Sequence, residues 1–520
     1  MERRAWWVLG LYALLALLLV PVYPHFQSPN ELTRWAAVAS LVEHGSLEVS
    51  SMLPYLSSGF EDLSVVDGRT YSNKAPGAAL VALPGYLAVR PFTGPPSAAA
   101  MRTQVTAMRL CAATLPALGL ALLLPWAAAR LGGEVTRGPI MVLALLFATP
   151  LFAYGLLLFA HALAAFCLFG AWACLFVPSR REETARRELL AGALLGLAVF
   201  SEYPMAVPAL ALVVIAATRR RYGRLLRLVA GGLPFAVALA LYDRACFGGV
   251  LELSSAHEKY AQFQGLARHG LFGVGTPRLA ILWELLLGTS KGLLVFSPFL
   301  LLTLPAIVIL HWVLPRDAFA AFLAVPLSVL LVYGGYPNWH GGWSVGARYL
   351  VSVLPFAVFP LGFRRGGRLE AAFLGWSVLA VTLTTLVFPF VPRELPVPWA
   401  TFALPLLLRG LTAPNALHLL WRPAALAAPF VLVAVAVALA LRGKARLAIA
   451  GAALALVVGL SAFRPGPLPL AATAQRAYVE DVFFDRAGAL ERELGLRKLP
   501  PALESRRQAD RALPPAPWPF

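Results

Sequence analysis

Glu31 and Arg34 stand three residues apart in "FQSPNELTRW", residues 26 to 35, directly after a long uncharged run. A carboxylate in that position can take a proton from an attacking hydroxyl or amine. A guanidinium beside it can make charge-assisted hydrogen bonds to a phosphate oxygen. Lys74, in "TYSNKAPG", precedes a Pro-Gly turn, and Arg348 lies in the glycine-rich "YGGYPNWHGGWSVGARYL" with His340. Asp62, Asp67 and Tyr71 fall in the same polar stretch as Lys74, and His161 is alone in an apolar run. Together these residues place one carboxylate, Glu31, and three cations, Arg34, Lys74 and Arg348, in polar stretches that border apolar ones.

Such groups need elements to hold them, and composition says which kind. Of 520 residues 59% are hydrophobic and only 13% charged, and the mean hydropathy is +0.72, which suits a polytopic membrane protein and not a soluble core. Residues 5 to 23 carry no charge, long enough at ~1.5 Å per residue to cross the hydrocarbon layer. No small-residue cleavage site follows, so the run reads as an uncleaved anchor. Further apolar runs near 104–130, 138–156, 158–177, 188–201, 204–218, 225–246, 290–311, 316–334, 348–363, 369–391, 422–441 and 445–462 bring the expected spans to about thirteen. The fold class expected is therefore all-α and polytopic.

The net charge of +18 raises the question of nucleic acid. Alternate connections are the basic ones, and with Arg3 and Arg4 they hold 20 of the 44 Lys and Arg. The positive-inside rule places them in the cytoplasm, making the charge a topology signal and excluding a nucleic-acid partner. The partner is the bilayer itself. Residues 24 to 102 then form a large first extracytoplasmic loop with juxtamembrane helices, 1 to 463 the transmembrane domain, and 464 to 520 an outer tail or small cap. Cys111, Cys167, Cys174 and Cys246 lie in apolar segments without paired spacing, so they read as packing residues.

"NELTRWA" resembles the Asp-Glu-Thr-Arg-Tyr-Ala stretch of the aminoarabinose lipid A transferases and their protein mannosyltransferase relatives, membrane enzymes of the GT-C fold. Glu31 takes the Asp position, Thr33 and Arg34 match, and Trp35 replaces Tyr. "TYSNKAPG" resembles that family's Tyr-x-x-Lys-Pro-Pro through Tyr71, Lys74 and Pro76. The likeness covers about the first hundred residues by motif and the rest by topology. It implies a GT-C-like glycosyltransferase that moves a sugar, with inversion, from a polyprenyl-phosphate donor to a lipid, glycan or protein acceptor at the outer face of the membrane. In that setting Glu31 is the base, Arg34, Lys74 and Arg348 bind the donor phosphate, and Asp62, Asp67, Tyr71, His161 and His340 support them. Leu32 stands where the family often has a second acid, so no cofactor is assigned and participation of a divalent metal stays open. Five Lys against 39 Arg suggest a GC-rich bacterial genome, an inner-membrane location and a site facing the periplasm.

Each residue has a plainer role beside the functional one. Glu31 and Arg34 are spaced for a surface ion pair. Lys74 can snorkel to lipid phosphates and Arg348 can anchor at the interface. His161 fits as a packed polar residue, Asp62 and Asp67 as capping or turn residues, and Glu202 with Tyr203 as a hairpin tip facing water. A transporter or flippase of lipid-linked sugars, an O-antigen ligase or polymerase, and a noncatalytic scaffold are the rival classes. A transporter is expected to show internal repeats and mid-membrane charges, and neither is evident.

Overall fold

The structure is a computed structural model that describes residues 2 to 513 apart from short gaps at 21, 24, 27, 58–59, 179–180, 219–221, 269 and 497 and the segment 442–467. It is helical almost throughout, with one two-stranded hairpin among the described residues. Among the described residues five helices are long and apolar enough to cross a membrane: Ala98–Arg130, Tyr222–Phe247, Arg316–Gly334, Arg368–Val387 and Arg422–Ala440. Six shorter apolar helices accompany them, including Val135–Phe147, His161–Phe176 and Pro298–Val313.

The expected thirteen spans are thus not thirteen continuous helices. The run 138–156 breaks after Phe147 and resumes at Leu151–Tyr154, because Pro150 has no N–H to continue the ladder. The run 290–311 is interrupted at Ser297–Pro298 for the same reason. Trp399–Leu408 is an apolar helix that the sequence did not reveal, hidden among prolines 396, 398 and 405. The expected span 445–462 lies outside the described residues.

Four elements carry the front of the molecule: helix α1 (Arg3–Leu18), helix α2 (Pro29–His44), the hairpin β1 (Leu63–Val66) and β2 (Arg69–Ser72), and helix α3 (Gly77–Thr93). Helix α4 (Ala98–Arg130) follows and contains a π-turn at Leu110–Thr114. Pro116 cannot donate to the Ala112 carbonyl, so the ladder widens by one residue just after Arg109. A row of aromatics ties the end of α1 to the tail: Tyr23 on Phe388, Phe26 on Phe390 and Phe26 on Phe483, with centroids 4.5, 4.6 and 5.0 Å apart. The described tail is built from helices Leu470–Tyr478, Ala489–Leu494 and Pro501–Arg511.

Among the described residues, basic connections are joined in two places by shared carboxylates. Arg137 donates to Glu370 at 2.6 Å and Arg364 to the same carboxylate at 3.0 Å, while Glu188 accepts from Arg224 and Arg227 at 2.8 and 2.7 Å. Glu188 begins the Thr184–Ser201 helix and Glu202 follows its end. Those two carboxylates are therefore ~20 Å apart along the axis, and the polar site described next gathers at the Glu202 end.

Candidate functional site

Helix α2 opens with Pro29 at its first turn, where the missing N–H costs nothing. It closes on Gly45, whose φ of 62° is the left-handed cap a β-carbon would strain. Most of its faces are covered, and its polar side chains tie it to its neighbours. Trp35 Nε1 donates to Gln104 at 2.8 Å, and Thr33 donates to Ser72 at 2.9 Å. The first contact fixes α2 to α4 and the second fixes it to the hairpin.

Glu31, only 1% exposed, does not pair with Arg34. Arg109 grips both its oxygens, Nε and Nη2 donating at 2.6 and 2.8 Å, and the Leu158 N–H adds a third bond at 2.7 Å. The expected surface ion pair is replaced by a buried clamp, because α4 brings a guanidinium from 78 residues away. A carboxylate so engaged is not a free base. Arg34 instead donates from Nη1 to the backbone carbonyl and side-chain oxygen of Asn30, and its buried Nε has no partner among the described residues.

The hairpin delivers Lys74. Asp67 and Gly68 form its tip with φ of 49° and 78°, the paired positive values of a two-residue type I′ turn. Asp67 therefore shapes the turn and stands away from Lys74. Tyr71 packs against Phe247 and Cys246, pinning β2 to the end of the Tyr222–Phe247 helix. Lys74 Nζ sits 3.0 Å from Asp62 Oδ1. Burial raises the Asp62 carboxyl, but the Lys74 ammonium, the Asn73 amide and the Arg348 charge together outweigh it and hold the group below the usual carboxylate range. Gly77 lets α3 start against the neighbouring helix, since a β-carbon there would fall 2.5 Å from Ser201 Oγ and 2.7 Å from the Phe200 carbonyl carbon.

Opposite α2 lies the Arg348 region. Its guanidinium stands over the rings of Tyr349 and Phe159, 4.8 and 5.6 Å from their centroids, and donates to Tyr349 Oη at 3.0 Å. Its buried Nε, like that of Arg34, has no partner among the described residues. Tyr349 stacks on Tyr333 at 4.4 Å, and Tyr333 donates to Glu202 at 2.8 Å. His161 Nδ1 is 3.1 Å from the same carboxylate. Glu202 thus belongs to a buried network and does not face water as a hairpin tip. The glycine-rich loop is anchored by Lys291, whose Nζ donates to the carbonyls of Gly342 and Ser344 at 2.8 and 3.1 Å and to Ser344 Oγ. His340 accepts from the Gly342 N–H at 3.0 Å. Burial, then the nearby Arg393 charge, pushes its imidazole down to about 4, so it is neutral at pH 7.

Sequence reasoning missed several members. Arg109 was buried within an expected span, and Glu202 was read as exposed. Glu258, in the polar run "SSAHEKYAQFQ", reaches the cluster through Asn73, whose Nδ2 donates to its oxygens at 2.9 and 3.0 Å. That same run held the signal, a charged stretch between two apolar segments.

Arg34, Lys74 and Arg348 all lie within electrostatic reach of Asp62, Arg34 also of Glu202 and Lys74 of Glu258. A separate cavity of about 530 Å³, lined by none of these six side chains, opens between α2, α4 and the tail. Tyr23, Phe26, Leu32, Met101 and Leu513 line it, with the Glu31–Arg109 pair in its wall. Among the described residues no three His, Cys, Asp or Glu side chains converge as metal ligands, and Glu31 is occupied by Arg109. No step is assigned to a metal.

No protein-family model matches the chain, and no characterised protein sequence does. Among solved structures the chain is similar to ArnT from Cupriavidus metallidurans bound to undecaprenyl phosphate, at 13% identity and a TM-score of 0.47, over 94% of this chain and 84% of that one. It is also similar to the oligosaccharyltransferase of Archaeoglobus fulgidus in the apo form, at 12% identity and a TM-score of 0.37, over 99% of this chain and 60% of that one. Likenesses this distant carry no weight for the site, whose meaning rests on its own residues.

Proposed function

We propose that the chain is a membrane glycosyltransferase of the GT-C type, taking a sugar from a polyprenyl-phosphate donor and passing it to an acceptor at the membrane's outer face. The observation that carries this reading is the pair of guanidiniums of Arg34, which is buried, and Arg348, which is partly exposed, each with a buried Nε unpartnered among the described residues, near the ammonium of Lys74. Cations with buried spare donors call for an anionic ligand. The motif likeness around residues 30 to 36 and 71 to 76 supports a phosphate there.

In this reading the three cations hold the donor phosphate and take up the charge that grows on it as the bond to the anomeric carbon breaks. Phosphate is a good leaving group and needs no proton. The acceptor attacks from the opposite side, so the anomeric configuration inverts. The cavity between α2, α4 and the tail, walled mostly by apolar side chains, offers room for a lipid chain. Glu31 has a positioning role: clamped by Arg109, it fixes the turn of α2 from which Arg34 projects. His161 and Tyr333 set Glu202, and Lys291 sets the loop that carries His340 and leads to Arg348. Bacterial origin and a periplasmic site belong to the same proposal, resting on composition and the alternation of basic loops.

The test is transfer by the purified full-length protein in proteoliposomes, with synthetic polyprenyl-phosphate hexoses and pentoses as donors and a bacterial lipid extract as acceptor pool. Release of free polyprenyl phosphate is expected from wild type. Arg34→Gln and Arg348→Gln should each cut it on the order of 10² fold, as the loss of one anion-stabilising donor does. Movement of intact donor across the bilayer without release would favour a flippase instead.

A further inference from the structure

We propose that Glu258, from the segment between the Tyr222–Phe247 and Leu279–Leu287 helices, is the catalytic base that takes the acceptor's proton. This rests on the glycosyltransferase reading above and assigns a step that reading leaves open.

The segment around Glu258 is stitched to the hairpin by contacts that bridge more than 180 residues of chain. Ser64 Oγ donates to the Ser254 carbonyl at 2.7 Å, and Ser254 Oγ donates to the Asn73 carbonyl at 2.9 Å. The Lys259 N–H donates to the Leu63 carbonyl at 2.8 Å, and Ser64 pairs with Glu258 as an antiparallel bridge. Gln264 closes the back of the segment by donating to the Glu258 carbonyl at 2.8 Å. This backbone placement leaves the Glu258 side chain little choice. It meets the Asn73 amide, and Asn73 is the residue before Lys74.

Asn73 joins two carboxylates, because its Nδ2 also lies 3.3 Å from Asp62 Oδ1. The two acids divide the work. Asp62 is ion-paired with Lys74 and held below the usual carboxylate range, which makes it a poor proton acceptor and a good counter-ion. Glu258 has only the Asn73 amide on its oxygens among the described residues. Burial pushes its carboxyl up to about 7, against the pull of Lys74 and the Asn73 hydrogen bond. Asp62 and Glu61 push the same way as burial. The remaining titratable neighbours are His257 and Lys259 on its own segment and Tyr336, which also lies within electrostatic reach of Asp62 and Arg348. A base with a pKa near the working pH combines an adequate ionised fraction with adequate strength. Glu202 and Glu31 are each tied by two or three donors, so neither competes.

The step balances as follows. The acceptor's oxygen or nitrogen lone pair forms the bond to the anomeric carbon, and the C–O bond to the donor phosphate breaks with its electron pair staying on the phosphate. The acceptor's proton passes to the Glu258 carboxylate, which returns it to water after product leaves.

The experiment compares pH–rate profiles in the proteoliposome assay, using the same donors and lipid extract. Wild type should show an acid limb, turnover rising with pH through a midpoint near 7, because the base must be ionised. Glu258→Gln, checked for wild-type melting temperature, should lose on the order of 10² fold or more in kcat, keep its donor KM within about threefold, and lose the limb. Glu258→Asp should recover part of the rate with the limb restored. Lys74→Met serves as an independent arm. Whatever it does to the rate, removing the ammonium should move the limb to higher pH, since the carboxylate loses a stabilising charge. A Glu258→Gln enzyme within a few-fold of wild type, or one whose limb persists, overturns this assignment while wild-type transfer leaves the function standing. If wild type releases no polyprenyl phosphate from any donor, the function itself falls and takes the base with it.

Discussion

Glu31 is the residue whose meaning changes most between sequence and structure. In the chain it reads as a base beside Arg34; in the fold it is a counter-ion, with Arg109 on both oxygens. Breaking a buried pair by removing one partner leaves an uncompensated charge, at a cost of roughly 3 to 5 kcal/mol. Glu31→Gln is therefore expected to lower the melting temperature markedly and to reduce activity through loss of folded protein. The double variant Glu31→Met, Arg109→Met should regain most of the stability. A Glu31→Gln protein that melts like wild type yet transfers nothing would return the base role to Glu31. Arg34 and Lys74 drew notice in the sequence through short motifs and Arg348 through its glycine-rich stretch, and their phosphate-binding role is the proposal made above. Arg109, Glu202 and Glu258 were not legible there, because each acquires its role from a side chain at least 40 residues away.

The same contrast holds for elements. Apolar runs announced the long helices well: 316–334, 369–391 and 422–441 correspond to Arg316–Gly334, Arg368–Val387 and Arg422–Ala440. Hydropathy averages over a window and does not register a single missing N–H, so the breaks at Pro150 and Pro298 were invisible to it. The hairpin could be inferred only after the fact from Asp67-Gly68, since its strands of four residues are too short for a periodicity signal. Yet the hairpin matters more to the site than any long helix. It carries Lys74 from one end, accepts the Glu258 segment along β1, and sends Ser72 to α2. The long helices provide the fixed wall on which these short pieces are stitched.

Across the whole molecule, ion pairs sort by region. Arg137 with Glu370 and Glu188 with Arg224 tie basic connections together in two places, and Arg34, Lys74 and Arg348 lie toward the Glu202 end of the Thr184–Ser201 helix. Cysteine labelling of intact cells should accordingly find positions 136, 222 and 366 shielded and positions 66, 265 and 500 reactive to an impermeant reagent. Finding 66 and 222 on the same side would contradict the architecture. The central claim is narrower: a lipid phosphate binds between Arg34, Lys74 and Arg348. The most direct measurement is an electron cryo-microscopy map of the full-length protein with undecaprenyl phosphate. Phosphate density within hydrogen-bond distance of Arg34 and Arg348 and close to Lys74 is the expected result. Phosphate density on Arg109 in the cavity between α2, α4 and the tail, with Arg34 and Arg348 left unoccupied, would contradict it.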